Sequence, residues 1–585
     1  MAQALYALTA AVGATGRRRT PLRWAPWLTL AAFVLPIVAG LAGTLLPAFG
    51  WLPALGHETL GLSAWQALQE APGFGTALRL SLATGWSATA LSVALALGIV
   101  AFVHHRPWAR RLGEAMAPML AMPHSALAIG FAFLILPSGW LVRAVSPELT
   151  GWDLPPDVGT VGHPSGWPLV AALLLKEVPY LVLMTLAALN QVPARAQVTA
   201  ARALGYGPVQ AWFGVVLPQV YRQIRLPVYA VLAFSLSVVD VALILGPGNP
   251  PTLAVLAVRW FSDPDTRWVL PASAAATLLL LLVVVSLGAW FLAEKLAGRL
   301  LAARLVQGVR SRHSAVLAGA ATGVGGVLLA AALLAMLAMA LWSLAGQWRW
   351  PDALPGSWTL GNWQRQSASL ALPALTTAVV GVASTVIALM LVLACLENES
   401  HQRRNGRSGP GGIRPSRSLW LLYLPLLVPQ VAFLFGLQVL LVRLGADGRL
   451  PAVIWAHLVF VLPYLFLSLA DPWRAFDERY TRTALSLGAS RWRVFWRIKL
   501  PILLRPVLLS VAVAFAVSVG QYLPTLFAGA GRVATLTTEA VTLAGGADRR
   551  VIGAWALLQA AFPLAVYLLA AGLPRWWFRH RRGLA

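Results

Sequence analysis

Long apolar runs leave this chain few folds to choose from. Six lie in its first half, at residues 24–46, 78–103, 115–136, 168–189, 226–245 and 269–291, and six more follow at 324–342, 375–396, 419–441, 452–470, 507–527 and 551–571. Each is about the ~20 residues that a helix needs to cross a hydrocarbon layer of about 30 Å. Apolar side chains surround the runs on every face, as suits helices in lipid, where each backbone N–H must be satisfied within the segment. The expectation is an all-α membrane protein of about twelve transmembrane helices. Only 11% of the 585 residues are charged, too few for a string of soluble domains. The single cysteine, Cys395, excludes an intrachain disulfide and a cysteine-based metal site, and no metal ligand set is expected.

A net charge of +25 would turn a soluble chain toward nucleic acid, but here the placement of the charges decides. Most of the 45 Lys and Arg residues fall in segments on one side of the membrane. Arg17, Arg18 and Arg19 precede the first run, Arg106, Arg110 and Arg111 follow the second, and Arg575, Arg579, Arg581 and Arg582 follow the last. The positive-inside rule makes that side cytoplasmic, with both termini there, and puts residues 57–72, 146–167, 246–264 and 348–366 outside. No basic stretch is long, soluble and interleaved with aromatics, so the lipid bilayer is the expected partner and nucleic acid is not. The first run reads as an anchor rather than a cleaved leader. Residues 397–417, rich in Gly, Pro and Arg, read as a flexible inner loop. Residues 294–313 carry Leu296, Leu300, Leu301, Leu305 and Val309 against Arg299, Arg304 and Arg310. Two forms fit that pattern equally, a linker lying on the membrane surface and a cytoplasmic extension of the sixth span.

Two matching inner segments are the most informative feature. Between the fourth and fifth runs stands Thr199-Ala200-Ala201, then Gly205 and, after eleven residues, Leu217-Pro218. Between the tenth and eleventh stands Arg482-Thr483-Ala484, then Gly488 and, after eleven residues, Leu500-Pro501. Leu204 and Leu487 precede the glycines, and Trp212-Phe213 and Phe495-Trp496 occupy equal offsets. Internal duplication explains this economically. Each segment predicts a short helix, a glycine turn, and a second short helix with exposed aromatics that a proline ends before the next span. Such a knob suits a groove on a soluble partner, and two knobs suit a two-fold symmetric one.

In these segments the chain resembles the permease subunits of ABC importers, the binding-protein-dependent type I family, whose signature is Glu-Ala-Ala, three residues, Gly, and then Leu-Pro. Thr199 stands where that signature has Glu, and Arg482-Thr483 where it has Glu-Ala. The resemblance implies a five-helix core in each of two homologous six-helix halves. It also implies that the two segments are coupling helices, with Thr199, Ala200, Ala201, Gly205, Trp212, Leu217 and Pro218 in the first and Arg482, Thr483, Ala484, Gly488, Phe495, Leu500 and Pro501 in the second. The domain plan that follows has an N-terminal segment with the first span and an outer loop (1–75), a first half (76–293), a linker (294–313), a seventh span with its loop (314–368), a second half (369–573) and a basic tail (574–585). Both halves in one chain, and the stretch Met122-Pro123-His124 to Gly130 with its parallel Pro429 to Gly436, look closest to fused permeases of thiamine and iron(III) importers.

By this resemblance the protein is a transporter subunit of a bacterial inner membrane and not an enzyme. ATP and Mg²⁺ would be used by a separate ATPase dimer, and a substrate-binding protein would dock outside; this chain would bind no cofactor. The glycines and arginines of residues 13–20 lack the Gly-Lys-Ser/Thr ending of a phosphate-binding loop. The substrate implied is thiamine-like, with iron(III) or another small solute as alternatives. Hydropathy alone equally allows an ion-coupled secondary transporter, and a membrane-embedded enzyme would need convergent catalytic groups that the sequence does not offer. Ionisable or polar residues at membrane depth, Lys176, Glu177, Asp240 and Gln521, are candidates for the translocation path. Lys176 and Glu177 point about 100° apart on a helix and so need other partners, across the seam between halves or within an interhelical contact. His457 reads as a satisfied interior histidine, and Trp24, Trp51, Trp140, Trp167, Trp268, Trp350 and Trp420 as interfacial anchors.

Overall fold

The computed structural model describes residues 24–107, 109–308, 310, 313–404 and 422–577. Arg17, Arg18, Arg19, Arg579, Arg581, Arg582, Trp420 and the stretch at residues 13–20 lie outside the described residues. Among the described residues the chain is helical, and pairing between extended segments is limited to bridges of Leu52 with His57 and Ala345 with Trp358. Nine helices there are long and apolar enough to cross a membrane, ten if the bent pair Arg491–Ile502 and Leu504–Val519 is one span. The remaining two of the twelve runs are helical but interrupted.

The interruptions come in matched pairs. The third run divides into Ala109–Ala121 and His124–Ile135, and the ninth into Leu424–Leu427 and Val431–Arg443. Pro123 and Pro429 cause these breaks, because proline has no N–H to give and its ring disfavours a helical residue before it. The fifth run stops at Ser237 and resumes as Asp240–Leu245, and the eleventh stops at Val519 and resumes as Leu523–Gly529. Two short helices complete the motif, Leu253–Phe261 and Leu536–Ala544. Their first N–H groups are taken up alike, Leu253 donating to Ser81 Oγ at 2.8 Å and Leu536 to Thr377 Oγ1 at 2.9 Å.

The extra span of each half packs on the other half. The first span, Ala25–Ala48, lies along Val431–Arg443, and the seventh, His313–Leu344, lies along His124–Ile135. Glycine permits both contacts. A Cβ on Gly436 would stand 2.0 Å from the Gly40 oxygen, and one on Gly130 would stand 2.5 Å from the Ala335 oxygen. Backbones that close gain dispersion contacts that lipid cannot replace. Thr44 Oγ1 accepts from Gly436 N–H at 3.2 Å, and Trp455 Nε1 donates to the Ala32 oxygen at 2.8 Å.

Two helices outrun the bilayer. Val269–Val306 has 38 residues and Gly361–Arg404 has 44, roughly 57 and 66 Å at 1.5 Å per residue. Residues 294–306 therefore extend the sixth span; the surface-lying linker does not form over them. Residues 397–404, expected in a flexible loop, continue the eighth span, and 405–417 lie outside the described residues. The seventh span carries the chain from the linker to the opposite end, where Asn362 Nδ2 donates to Ser343 and Ala345 oxygens at 3.2 and 2.9 Å. The eighth span returns, so both overlong helices project from the same end of the bundle.

Candidate functional site

Both knobs stand at that end. The first is Ala194–Ala203, a turn at Gly205, and Pro208–Ala211 running on into a wider π turn at Trp212–Val216. The second is Glu478–Ser486, a turn at Gly488, Arg491–Val494 and the π turn Phe495–Lys499. The glycines have φ of +85° and +84°, left-handed values that only glycine adopts without strain. Their neighbours close the preceding helix alike: Tyr206 N–H donates to the Ala201 oxygen at 3.2 Å and Ala489 N–H to the Ala484 oxygen at 3.0 Å. The π turns also match, with Leu217 N–H donating to the Trp212 oxygen and Leu500 N–H to the Phe495 oxygen, five residues back. Pro218 and Pro501 follow at once and have no N–H to hold the usual register, which accounts for the widened turn. The expectation that these prolines end the knob is thus corrected. Pro218 opens the helix Leu217–Ser237, and in the second copy Leu500–Ile502 continues to a bend of 75° before Leu504–Val519.

The exposed surface also differs from the expectation. Thr199, Ala200, Arg482 and Thr483 face outward while Ala201 and Ala484 are buried against the bundle. Thr199 Oγ1 is turned back to the Arg195 oxygen at 2.9 Å. Trp212 is fully buried, 6.2 Å from the His104 ring, and Phe495 is half-buried, so neither presents an aromatic tip. The tips are instead Leu204, 67% exposed, and Leu487, 81% exposed. The signal in the sequence was the apolar residue just ahead of a glycine turn, where the helix has already left its support. In the second knob Trp492 and Trp496 are exposed as well, their rings edge to face at 5.4 Å. Leu217, Leu500 and Pro501 are half-buried and Pro218 is exposed.

Each knob leans on one overlong helix, by different chemistry. The first has Tyr206 Oη donating to the Leu305 oxygen at 3.4 Å, Leu305 packed where a Cβ on Gly214 would be, and Arg310 Nη2 donating to the Leu204 oxygen at 3.0 Å. The second is held by charge. Buried Lys499 pairs with Glu397 at 2.7 Å and lies 4.5 Å from the Trp473 ring centre, while Arg474 meets Glu399 at 3.2 Å. Asp477 caps its first helix by accepting from Arg479 N–H at 2.9 Å. That backbone bond, with the Arg479 side chain, holds the exposed Asp477 carboxyl below the usual carboxylate range.

The residues at membrane depth separate into three roles. Lys176 Nζ donates to the Met119 oxygen at 2.9 Å, the Leu120 oxygen at 3.0 Å and the Met122 oxygen. These carbonyls are freed where Pro123 breaks the third span, so the ammonium caps a half-helix C-terminus, the end at which a cation is favoured. Its partners belong to its own half and not to the opposite side of the seam. Glu177 turns elsewhere, its Oε1 3.4 Å from His124 Nε2 and within electrostatic reach of Tyr180 and of Tyr464 from the second half. Asp240 begins the short helix after the fifth-span break, within reach of His124 and Tyr522. The structure therefore gathers Glu177 and Asp240 about His124. Gln521 is buried in the matching break, its main-chain oxygen accepting from Thr525 Oγ1 at 3.0 Å. His457 is satisfied as expected, at 2.8 Å from both Ser518 Oγ and Thr525 Oγ1. Trp350 is no simple anchor: with Trp348 it flanks the guanidinium of buried Arg143, at 5.3 and 5.2 Å.

At the end opposite the knobs, a cavity of about 210 Å³ opens between the halves, lined by Ile129 and Phe133 of the third span, Ile244, Gly545, Arg549 and Ile552. Sequence reasoning passed over the polar contact nearby. Gln559 Nε2 donates to Ser125 Oγ and Thr537 Oγ1, both at 2.8 Å, joining the two halves.

Duplicated helical halves, broken spans at a shared seam and a pair of projecting knobs define a two-half membrane permease. The chain belongs to the family of binding-protein-dependent transport system inner membrane components, which it matches twice, over residues 88–293 and 353–573. Among its relatives, the inner membrane ABC transporter permease protein YnjC of Escherichia coli (strain K12) is 33% identical over 569 residues, 97% of this chain and 99% of that protein. The molybdenum transport system permease protein ModB of Mycobacterium tuberculosis is 33% identical over 195 residues, 30% of this chain and 70% of its own length. The spermidine/putrescine transport system permease protein PotC of Haemophilus influenzae is 23% identical over 228 residues, 39% and 82% respectively. The chain is thus a multi-pass inner-membrane ABC importer permease with both halves fused.

Proposed function

We propose that the knob end faces the cytoplasm, that the two knobs seat in the grooves of a separate ATPase dimer, and that the seam between the halves is the path of a small solute delivered by an external binding protein. The carrying observation is the pair of helix–glycine–helix elements at one end of the bundle, alike in their glycine φ, their closing hydrogen bonds and their exposed leucines. ATP-driven closure of the dimer would draw the knobs together and rock the halves. ATP and Mg²⁺ then belong to the ATPase, and this chain is a transporter subunit, not an enzyme. A thiamine-like organic cation is the solute class that the seam favours. Lys176 is spent on backbone carbonyls, which leaves the carboxyl groups of Glu177 and Asp240 near the path.

Affinity purification of the full chain from its native membrane tests this reading. An ATPase is expected to co-purify, and Leu204→Asp together with Leu487→Asp is expected to release it while the chain still inserts. Retention by the double variant, or transport without any ATPase, would refute the coupling. Mass spectrometry of the ligand held by the binding protein decides the solute class, and an anion there would refute the cation assignment.

A further inference from the structure

The junction of Gln559, Ser125 and Thr537 stands out because the fold does not require it. All three side chains are wholly buried. Thr537 Oγ1 gives its proton to the Val519 oxygen, so it accepts from Gln559, and Ser125 Oγ accepts the second amide proton. Gln559 Oε1 is left with no donor among the described residues. Among the described residues, the other side of the pseudo-symmetric seam has no such arrangement. There the sixth span presents Ala275, Ala276 and Leu279, the short helix carries Ala254 and the half-helix carries Val431, all buried and apolar. One polar and one dry contact at equivalent places make the duplication its own control.

Helix geometry places the polar junction directly beneath the cavity. Ser125 precedes the lining residues Ile129 and Ala132 by four and seven positions, Thr537 precedes Ala544 by seven, and Gln559 follows Ile552 by seven. Those spacings keep each pair on one helix face. Three faces that wall the cavity therefore converge, one or two turns deeper, on the Gln559 amide. An incompletely paired polar contact is a weak closure, since the stranded oxygen costs the closed state what a satisfied network would not, whereas apolar groups in the same space would close it more firmly.

We propose that the Gln559–Ser125–Thr537 junction is the openable seal at the floor of the outer cavity, and that the apolar contact on the other side of the seam is its fixed counterpart. The inference rests on the seam being the solute path, and its test needs neither the ATPase nor the solute. Replacing Cys395 by Ser leaves the full chain free of thiols, and Gly546→Cys or Ala121→Cys then reports from above or below the junction. Right-side-out vesicles are treated with a membrane-impermeant thiosulfonate. Gly546→Cys, exposed at the cavity rim, is expected to label readily and equally in every background, and the buried Ala121→Cys slowly. Ser125→Ala leaves one Gln559 amide proton without its acceptor, a further uncompensated buried polar group beside the stranded oxygen, and should speed labelling at Ala121→Cys roughly tenfold. The triple variant Gln559→Leu, Ser125→Val and Thr537→Ala keeps the bulk of the Gln559 side chain, makes the junction as apolar as the other side and should slow labelling below the parent. Unchanged rates in both backgrounds, faster labelling in the triple variant, or an unreactive Gly546→Cys would overturn the proposal. Should the triple variant fail to insert, Ser125→Ala decides alone.

Discussion

Replacing Lys176 with methionine separates a structural role from a place on the solute path. Met119, Leu120 and Met122 direct their carbonyls at the ammonium in a position 6% exposed. Methionine keeps the length of the side chain and removes every donor. The Leu120 and Met122 oxygens then lack a partner where no later turn of helix can supply one, because Pro123 has ended the hydrogen-bond ladder, while the Met119 oxygen keeps the Met122 N–H at 3.3 Å. Leaving a buried acceptor unsatisfied costs about 1–3 kcal/mol, so two stranded carbonyls cost roughly 3 kcal/mol. Unfolding entropy near 2.1 cal/mol/K per residue over 585 residues turns ~3 kcal/mol into a fall of about 2–3 °C if the bundle melts as a unit. Tryptophan fluorescence of the purified chain in mild detergent follows the transition. A cap predicts that Lys176→Met melts lower whether or not solute is present. An unchanged melting temperature combined with lost transport would place Lys176 on the path and refute the capping account.

Other consequences follow from the same geometry. Lys499→Met removes the 2.7 Å pair with Glu397 and should loosen the second knob by about 3 kcal/mol, seen as faster hydrogen exchange over residues 491–502 with the first knob unaffected. Gly436→Val cannot be accommodated 2.0 Å from the Gly40 oxygen, so the first span should detach and the melting temperature fall; an unshifted melt would contradict the close approach. Gly205→Trp with Gly488→Trp should spare insertion and abolish solute-stimulated ATPase activity of the co-purified complex, because neither left-handed turn tolerates the side chain. The Asp477 carboxyl is held low in the folded chain, so its cap is in place above the unfolded carboxylate pKa of about 3.9 and is lost as pH falls through the lower folded value. Asp477→Asn should leave exchange in Glu478–Ser486 insensitive to acid across that window, since the amide caps without a charge.

Runs of apolar residues and the doubled Gly to Leu-Pro spacing were enough to read the spans, the duplication and the knobs, because both patterns are local. Burial inside the bundle was not readable in the same way. Trp212, four residues after Pro208, and Trp492, two after the capping Ser490, both lie in the second helix of a knob, yet one is fully buried and the other 72% exposed. Lipid, protein and water at a membrane surface all accept tryptophan. Pro123 and Pro429 announced their breaks, but nothing local said that Lys176, more than fifty positions on, would take up the freed carbonyls. The exchange of first and seventh spans between halves is carried by glycines in helices apolar on every face, where no stripe marks a partner. Gln559 left only a faint trace, a lone amide in an apolar run, whose significance depends on Ser125 and Thr537 arriving from elsewhere.

The departures from two-fold symmetry point in one direction. In the first half the knob runs through its π turn into Leu217–Ser237 as continuous helix, so force applied at Leu204 reaches the break before Asp240 with nothing to absorb it. The second half interposes a bend of 75° at Leu503 between its knob and Leu504–Val519, and fixes the knob to Gly361–Arg404 through the Lys499–Glu397 ion pair, beside that of Arg474 at the end of the preceding span with Glu399. The second half also supplies the amide and the threonine of the polar junction, whereas its mirror is dry. On the coupling proposed above, equal closure of an ATPase dimer would then produce unequal motion: the first half turns as one body, and the second flexes at Leu503. Compliance in the second half places the yielding contact where Gln559 sits, since a rigid half working against an apolar contact has no reason to part there. Pro506 has no N–H for the Ile502 oxygen, so Pro506→Ala, which lets the helix run on through Leu503, is therefore expected to leave ATPase docking intact and to suppress opening at Ala121→Cys during ATP turnover. Opening that persisted with the bend fixed would show that the halves move alike, and the asymmetry would lose its mechanical meaning.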